Sequence, residues 1–200
     1  MPLELQEVNS EADFLAIARC LFESYDDPPE QVVDTETGKI AGGAQWNIYK
    51  DNPFADPNPS EVTWFPNDNS RRFVEQALQA HSAPRARVAQ RAHLYLYNIF
   101  THPDYRRKGV GQQLMNWGMK KADEMGLEFF LDSTPHGRPL YEAYGFIYIE
   151  ENLIKPEMDN PDEKWKEIQD KVGPCTLWLM WRPVGGKYEE GNTIKPWKVE

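Results

Sequence analysis

The apolar positions of the chain change period several times, and each change marks an element. Phe14, Ile17, Ala18, Leu21 and Phe22 recur at helical steps behind Ser10, a capping residue with Asp13 as an imperfect capping-box partner. This predicts a helix over about 11–24, ended by Asp26-Asp27-Pro28-Pro29. Residues 31–34 and 40–49 read as strands of a hairpin around the turn 35–38, with Gly42 and Gly43 weakening or bulging the second strand. Residues 51–69 hold four Pro, four Asn and three Asp. A long surface loop is expected there, with a short apolar insert at 62–65. Phe73, Val74, Ala77 and Leu78 predict a helix over 70–80, followed by a basic connector over 84–91.

In the second half, residues 93–100 alternate weakly and are rich in Leu, Tyr and Ile, which favours a strand. His102-Pro103-Asp104-Tyr105 reads as a turn. From Val110 the positions Leu114, Trp117, Gly118, Ala122 and Met125 mark a helix stopped by Gly126. A buried strand over 127–131, a short helix over 139–144 and a strand over 146–150 follow. Residues 155–163 read as a loop, 175–181 as a closing strand and 185–200 as a polar tail. Strand, helix, strand, helix, strand, strand is the order of a mixed α/β sheet. The crossover from 93–100 to 127–131 predicts a parallel pair with right-handed connection. One domain over 1–184, with an insert at about 51–92, and a tail over 185–200 is the expected organisation.

Composition narrows the function. The net charge is −10 with 32 Asp and Glu against 22 Lys and Arg. Basic residues cluster only at Arg71-Arg72, 85–91 and 106–108, so a nucleic-acid partner is not expected, while a cationic small substrate suits the field. Cys20 and Cys175 show neither metal-ligand spacing nor a framework of bridges, which fits a reducing compartment such as the cytoplasm. No apolar run follows a basic stretch at the N-terminus, and no stretch approaches the ~20 apolar residues of a membrane span, so neither a signal peptide nor membrane insertion is expected.

The chemistry centres on Tyr105-Arg106-Arg107-Lys108-Gly109-Val110-Gly111, between the strand 93–100 and the helix from Val110. The first turn of a helix carries backbone N–H groups without internal partners and the positive end of the dipole. Gly109 and Gly111 let a bulky anion approach with no Cβ in the way, and Arg106, Arg107 and Lys108 add charge at the same place. Strand, basic glycine turn and helix make an anion site. The spacing is neither that of a Walker loop nor that of the dinucleotide fingerprint.

These residues and a second motif carry a family resemblance. Asn98-Ile99-Phe100-Thr101-His102-Pro103-Asp104-Tyr105 leading into the turn, with R-x-x-G-x-G on Arg106, Gly109 and Gly111, resembles the acetyl-CoA-binding segment of the GNAT superfamily. Leu140-Tyr141-Glu142-Ala143-Tyr144-Gly145-Phe146 resembles that family's second landmark, L-Y-x-x-x-G-F. The resemblance covers roughly 93–150. The segment Ser133-Thr134-Pro135-His136-Gly137-Arg138 and the long insert look like fungal members.

The resemblance implies a single GNAT-like domain: a mixed, mostly antiparallel sheet, its central parallel pair splayed around the cofactor, and helices on both faces. It implies acetyl-CoA as co-substrate with no metal, and direct acetyl transfer to a primary amine of a small molecule or peptide by a monomer or homodimer. The backbone of Ile99, Phe100 and Thr101 would face the pantetheine arm, and an N–H of Ile99 would lie near the thioester oxygen. Ile99 and Phe100 also suit an ordinary buried strand. Arg106, Arg107, Lys108, Gly109, Val110 and Gly111 would hold the diphosphate. Tyr141 aligns with the tyrosine that protonates the departing thiolate, or packs beneath the cofactor. Thr134 stands where many members carry a cofactor-contacting asparagine, and a hydroxyl replaces only one of the amide's hydrogen bonds. For the general base Asp132 is the first candidate, with Glu61, His102 and His136 behind it. Trp46, Trp64 and Phe65 are candidate walls of the acceptor pocket. The alternative reading is a catalytically inactive module that senses acyl-CoA.

Overall fold

The computed structural model describes residues 3–4, 32–55 and 62–197. The expected helix over 11–24, residue 31 of the first hairpin strand, Cys20 and Glu61 lie outside them. In chain order the elements are β1 (Leu3–Glu4), β2 (Val33–Asp34), β3 (Lys39–Ile40), β4 (Gly42–Tyr49), α1 (Asn69–Val88), β5 (His93–Thr101), α2 (Val110–Met125), β6 (Glu128–Ser133), α3 (Arg138–Ala143), β7 (Ile147–Ile154), α4 (Glu163–Val172) and β8 (Cys175–Arg182). The contacts divide the chain into two compact units, Met1–Ile48 with Leu94–Leu127, and Tyr49–His93 with Glu128–Glu200.

The first unit contains the hairpin. β1, β2 and β3 form a small antiparallel sheet in which Val33 faces Ile40 and Asp34 faces Lys39. Its turn closes on Asp34, whose carbonyl accepts from Thr37 N (3.2 Å) and Gly38 N (2.7 Å) and whose carboxylate accepts from Glu36 N at 3.0 Å. The expected strand 40–49 divides at Ala41: β3 stays with the hairpin, while β4 lies beside β5 in a second sheet. The Ala41 carbonyl, released from the strand ladder, accepts from His102 N at 3.0 Å. Val32, Ala41, Tyr105, Val110 and Leu114 form the core of this unit, with Ala44 and Ile99 packed against them.

Helix α2 meets expectation from Val110 to its left-handed stop at Gly126, φ 64°. It buries Leu114, Met115, Gly118 and Ala122. Trp46 of β4 lies across Gly118, its ring centroid 5.8 Å from that of Trp117. Trp46 therefore packs on α2 rather than standing open as a pocket wall. A Cβ on residue 118 would come within 2.5 Å of the indole. Gly118→Val is expected to lower stability by about 1–3 kcal/mol, the usual cost of overpacking. A denaturation midpoint equal to the wild type's would show that the indole swings aside freely.

The second unit contains β6, β8 and β7 side by side in that order, both pairs antiparallel, with Leu131 opposite Met180 and Asp132 opposite Leu179. Phe129, Phe130, Leu131, Leu179, Met180 and Trp181 are its buried centre. Helix α1, capped by Asp68 accepting from Ser70 N at 2.8 Å, runs eight residues past the expected end and absorbs most of the predicted basic connector. Pro84 sits inside it. Proline cannot donate to the carbonyl four residues back, here that of Ala80. The buried Asn152 of β7 fills the gap, donating Nδ2 to the carbonyls of Ala80 (3.0 Å) and His81 (3.3 Å). The helix therefore continues through the proline.

Helix α4 was not expected. Asp162 caps it by accepting from Trp165 N at 2.9 Å, and Trp165 meets Phe73 of α1 edge to face at 4.9 Å. β7 is longer than predicted, reaching Ile154, with a bulge between Tyr148 and Glu150. Beyond β8 the chain returns to Trp181, on whose ring Tyr188 and Trp197 pack at 6.4 and 5.3 Å. Among the described residues no helix is long and apolar enough to cross a membrane, and no group of His, Cys, Asp and Glu could hold a metal ion.

Candidate active site

The first unit carries the basic turn. β5 runs into a short 3-10 turn over Pro103–Tyr105, whose entry His102 supports by accepting from Asp104 N on Nδ1 at 3.2 Å. The turn is tied to the hairpin by the buried Tyr105 hydroxyl, which donates to Asp34 Oδ2 at 2.8 Å. That hydrogen bond holds the Asp34 carboxyl below its ordinary value, while burial first, and then Asp34, push the Tyr105 phenol up.

The next residues turn sharply. Arg107 and Gly109 both adopt left-handed backbone, with φ 59° and 84°. Only glycine takes that conformation without steric cost, which accounts for Gly109. Arg107 in the same region stores local strain of the kind found at ligand-binding turns. Arg106, Arg107 and Lys108 are exposed, and Lys108 Nζ lies 5.2 Å above the Tyr105 ring. α2 then starts at Val110 with no side chain capping it, Gly109 being its N-cap, and the Gln113 N–H donating back to Gly109 at 3.0 Å. The N–H groups of the first turn precede any such ladder bond. Three cations and a sixteen-residue helix with an uncapped start thus converge on one turn. Val110 is buried in the core below it and Gly111 is half-buried. Of the residues expected to face the pantetheine, Ile99 packs on the hairpin core, Phe100 is buried and Thr101 ends β5 half-buried.

The second unit carries Asp132, Thr134 and Tyr141. Leaving β6, Thr134 organises the next turn: Gly137 N donates to its carbonyl (3.0 Å) and to its Oγ1 (3.2 Å). The hydroxyl keeps its own proton to donate elsewhere. Ser133, fully buried, donates to the Thr134 carbonyl at 2.7 Å.

Tyr141 on α3 is buried, with Phe146 at 6.1 Å between ring centroids and the Gly137 backbone against its ring. Burial pushes its phenol up to about 12. The glycine of the landmark has two reasons to be there. Gly145 has φ 82°, and the Gly186 carbonyl would lie 3.0 Å from any Cβ added to it. Phe146 N, reaching back to the Tyr141 carbonyl at 3.1 Å, closes the helix.

Asp132 lies deep on β6, its side chain 4% exposed, with Oδ2 at 3.3 Å from His81 Nε2 and 3.5 Å from Arg85 Nη1. Both partners are on the part of α1 that the sequence pattern read as ending or already past. Their signal was an i, i+4 spacing hidden by Pro84. Of the other base candidates, His102 supports the 3-10 turn and His136 is exposed. Trp64 is 67% exposed and Phe65 half-buried.

Acyl-CoA N-acyltransferases are the enzyme class that these parts define: a basic glycine turn opening an uncapped helix, followed in sequence by a buried tyrosine ahead of a Gly-Phe turn. Residues 4–146 match the profile of the acetyltransferase (GNAT) family, and the chain belongs to that family. Its fold is the α/β fold of the family, a mixed sheet with a parallel strand pair. Among solved structures it is similar to a polyamine N-acetyltransferase of Drosophila melanogaster, which catalyses the formation of N-acetylagmatine. They share 13% identity over 91% of this chain and 85% of that one, with TM-score 0.56. It is also similar to arylalkylamine N-acetyltransferase 2 of Aedes aegypti, with 13% identity over 77% and 72% of the two chains and TM-score 0.54. A third is a phosphinothricin acetyltransferase of Sinorhizobium meliloti in complex with acetyl-CoA, with 16% identity over 96% and 95% and TM-score 0.51. At these identities the likeness is one of fold. No curated protein matches the sequence.

Proposed function

We propose that the chain is an N-acetyltransferase moving the acetyl group of acetyl-CoA directly to a primary amine of a small molecule or peptide. The observation that carries this reading is the turn Arg106–Gly111, where left-handed Gly109, three cations and the uncapped start of α2 coincide. In this reading Arg106, Arg107, Lys108, Gly109, Val110 and Gly111 hold the diphosphate, and the backbone of Ile99, Phe100 and Thr101 pairs with the pantetheine. Thr134 gives the cofactor one hydrogen bond in place of an amide's two. Tyr141 protonates the departing thiolate, and Asp132 is the first candidate for the general base.

The net charge of −10 supports a cationic acceptor. The two cysteines without bridge spacing, of which Cys175 is free and exposed, support a cytoplasmic location. A monomer or homodimer, and kinship with fungal members, belong to the same reading.

Release of CoA thiol from acetyl-CoA over a panel of polyamines, arylalkylamines and peptide amines tests it. An alkylamine with pKa ~10.4 arrives as a cation at pH 7. For such an acceptor kcat/KM is expected to rise with pH and to fall with salt, because charge steering is screened beyond about 8 Å at physiological ionic strength. A neutral acceptor analogue should show no salt effect. Acetyl-CoA binding with no turnover on any amine would favour the acyl-CoA-sensing module instead.

A further inference from the structure

An ammonium acceptor must lose a proton before its nitrogen can attack the thioester, and the second unit contains a side-chain cluster arranged to take it. His81 Nε2 lies 3.3 Å from Asp132 Oδ2, and the same oxygen accepts from Arg85 Nη1 at 3.5 Å. The burial of the three is graded. The Asp132 side chain is 4% exposed, Arg85 8% and His81 21%. The carboxylate is held inside by a guanidinium, while the imidazole reaches outward. Among the described residues, Nδ1 of His81 has no hydrogen-bond partner.

We propose that His81 is the general base of the acetyl transfer, with Asp132 as the residue that positions it. This rests on the acetyltransferase reading above and assigns the proton-accepting step within it. A carboxylate beside one ring nitrogen fixes the tautomer, keeping the proton on Nε2 and the lone pair on Nδ1. The same carboxylate stabilises the imidazolium once it forms. Arg85 prevents Asp132 from turning away, and Asn152 fixes the backbone at His81 itself, donating to its carbonyl at 3.3 Å. Two residues beyond Asp132 the chain reaches Thr134, the position assigned to the cofactor.

The proton balance is complete. The ammonium gives one proton to His81 Nδ1, and the neutral nitrogen attacks the acetyl carbon. The C–S bond breaks and the thiolate takes the Tyr141 proton. The nitrogen's second proton restores the phenol through solvent, and His81 releases the first to solvent, so one proton leaves per turnover. The charged groups facing His81 are Asp132 from β6 and Arg85 one turn along α1. From β7 comes the uncharged Asn152, donating to the His81 carbonyl, while the Glu150 carboxylate of the same strand is paired with Arg87.

The test is the pH profile of kcat/KM for a cationic amine, in the wild type and in His81→Gln, with acetyl-CoA affinity and melting temperature measured alongside. His81 is partly exposed, so the glutamine variant is expected to fold. Its kcat/KM should fall on the order of 100-fold at pH 7, within the range of a lost general base. The deficit should shrink as pH nears the amine's own pKa of ~10.4, where the acceptor is already neutral. Acetyl-CoA affinity should not change. Asp132→Asn should give a smaller deficit with the same pH trend. A His81→Gln enzyme with the wild-type profile, or with a deficit constant across pH, overturns the assignment alone. A wild type that acetylates no amine overturns it together with the acetyltransferase reading.

Discussion

Tyr141→Phe should reduce kcat on the order of 100-fold while leaving acetyl-CoA affinity and melting temperature near those of the wild type. The phenol sits in a buried setting against Phe146 and the Gly137 backbone, and burial holds its pKa up at about 12. It therefore keeps its proton throughout any practical assay range and is present as an acid at every turnover. A thiol in water has a pKa of about 8.5, and proton transfer from so weak an acid to its thiolate looks uphill. The same exclusion of water that disfavours the phenolate also disfavours the thiolate, which narrows the gap where the transfer occurs. Phenylalanine fills the same space, so packing survives and only the proton is lost. Turnover equal to wild type when chemistry is rate-limiting would leave Tyr141 as a packing residue beneath the cofactor.

Gly111→Val should weaken acetyl-CoA binding at least tenfold, about 1.4 kcal/mol. Gly111 is the cleaner of the two glycines to change. Gly109 has φ 84°, so a side chain there adds backbone strain of about 1–2 kcal/mol to any clash with the diphosphate. Gly111 is the second residue of α2, in helical conformation, and valine is no worse a helix former than glycine. A branched side chain at this position obstructs the anion without straining the backbone. Calorimetry on the folded variant decides the matter: unchanged affinity would remove the diphosphate from this turn.

The turn and its flanks were legible in the sequence because everything that shapes them is local. The apolar period from Leu114 to Ala122, the left-handed stop at Gly126 and the glycine at 109 act within a few residues of where they stand. The hairpin 33–40 was legible for the same reason, its turn closing on Asp34. Helix α1 was not. Its continuation past Pro84 depends on Asn152, 72 residues beyond Ala80, supplying the hydrogen bond that proline cannot. Helix α4 escaped because it buries only Trp165, too little to set an apolar period, and depends on an Asp162 cap and on Phe73.

The site divides along the same line. The turn Arg106–Gly111 and the Leu140–Phe146 landmark are continuous stretches of chain and could be read directly. The surroundings of Asp132 could not, since His81 and Arg85 reach it only through the unexpected last turns of α1.

Direct transfer requires that no acetylated enzyme forms, and a single-turnover experiment shows whether one does. Protein in excess over acetyl-CoA is mixed with a cationic primary amine, quenched at intervals and weighed intact, while free CoA and acetylated amine are quantified in the same samples. The expected result is one acetylated amine for each CoA released, appearing at the same rate, with the protein mass unchanged at every time point. An acetylated protein that forms and decays, or CoA released with no acetylated amine, would contradict it.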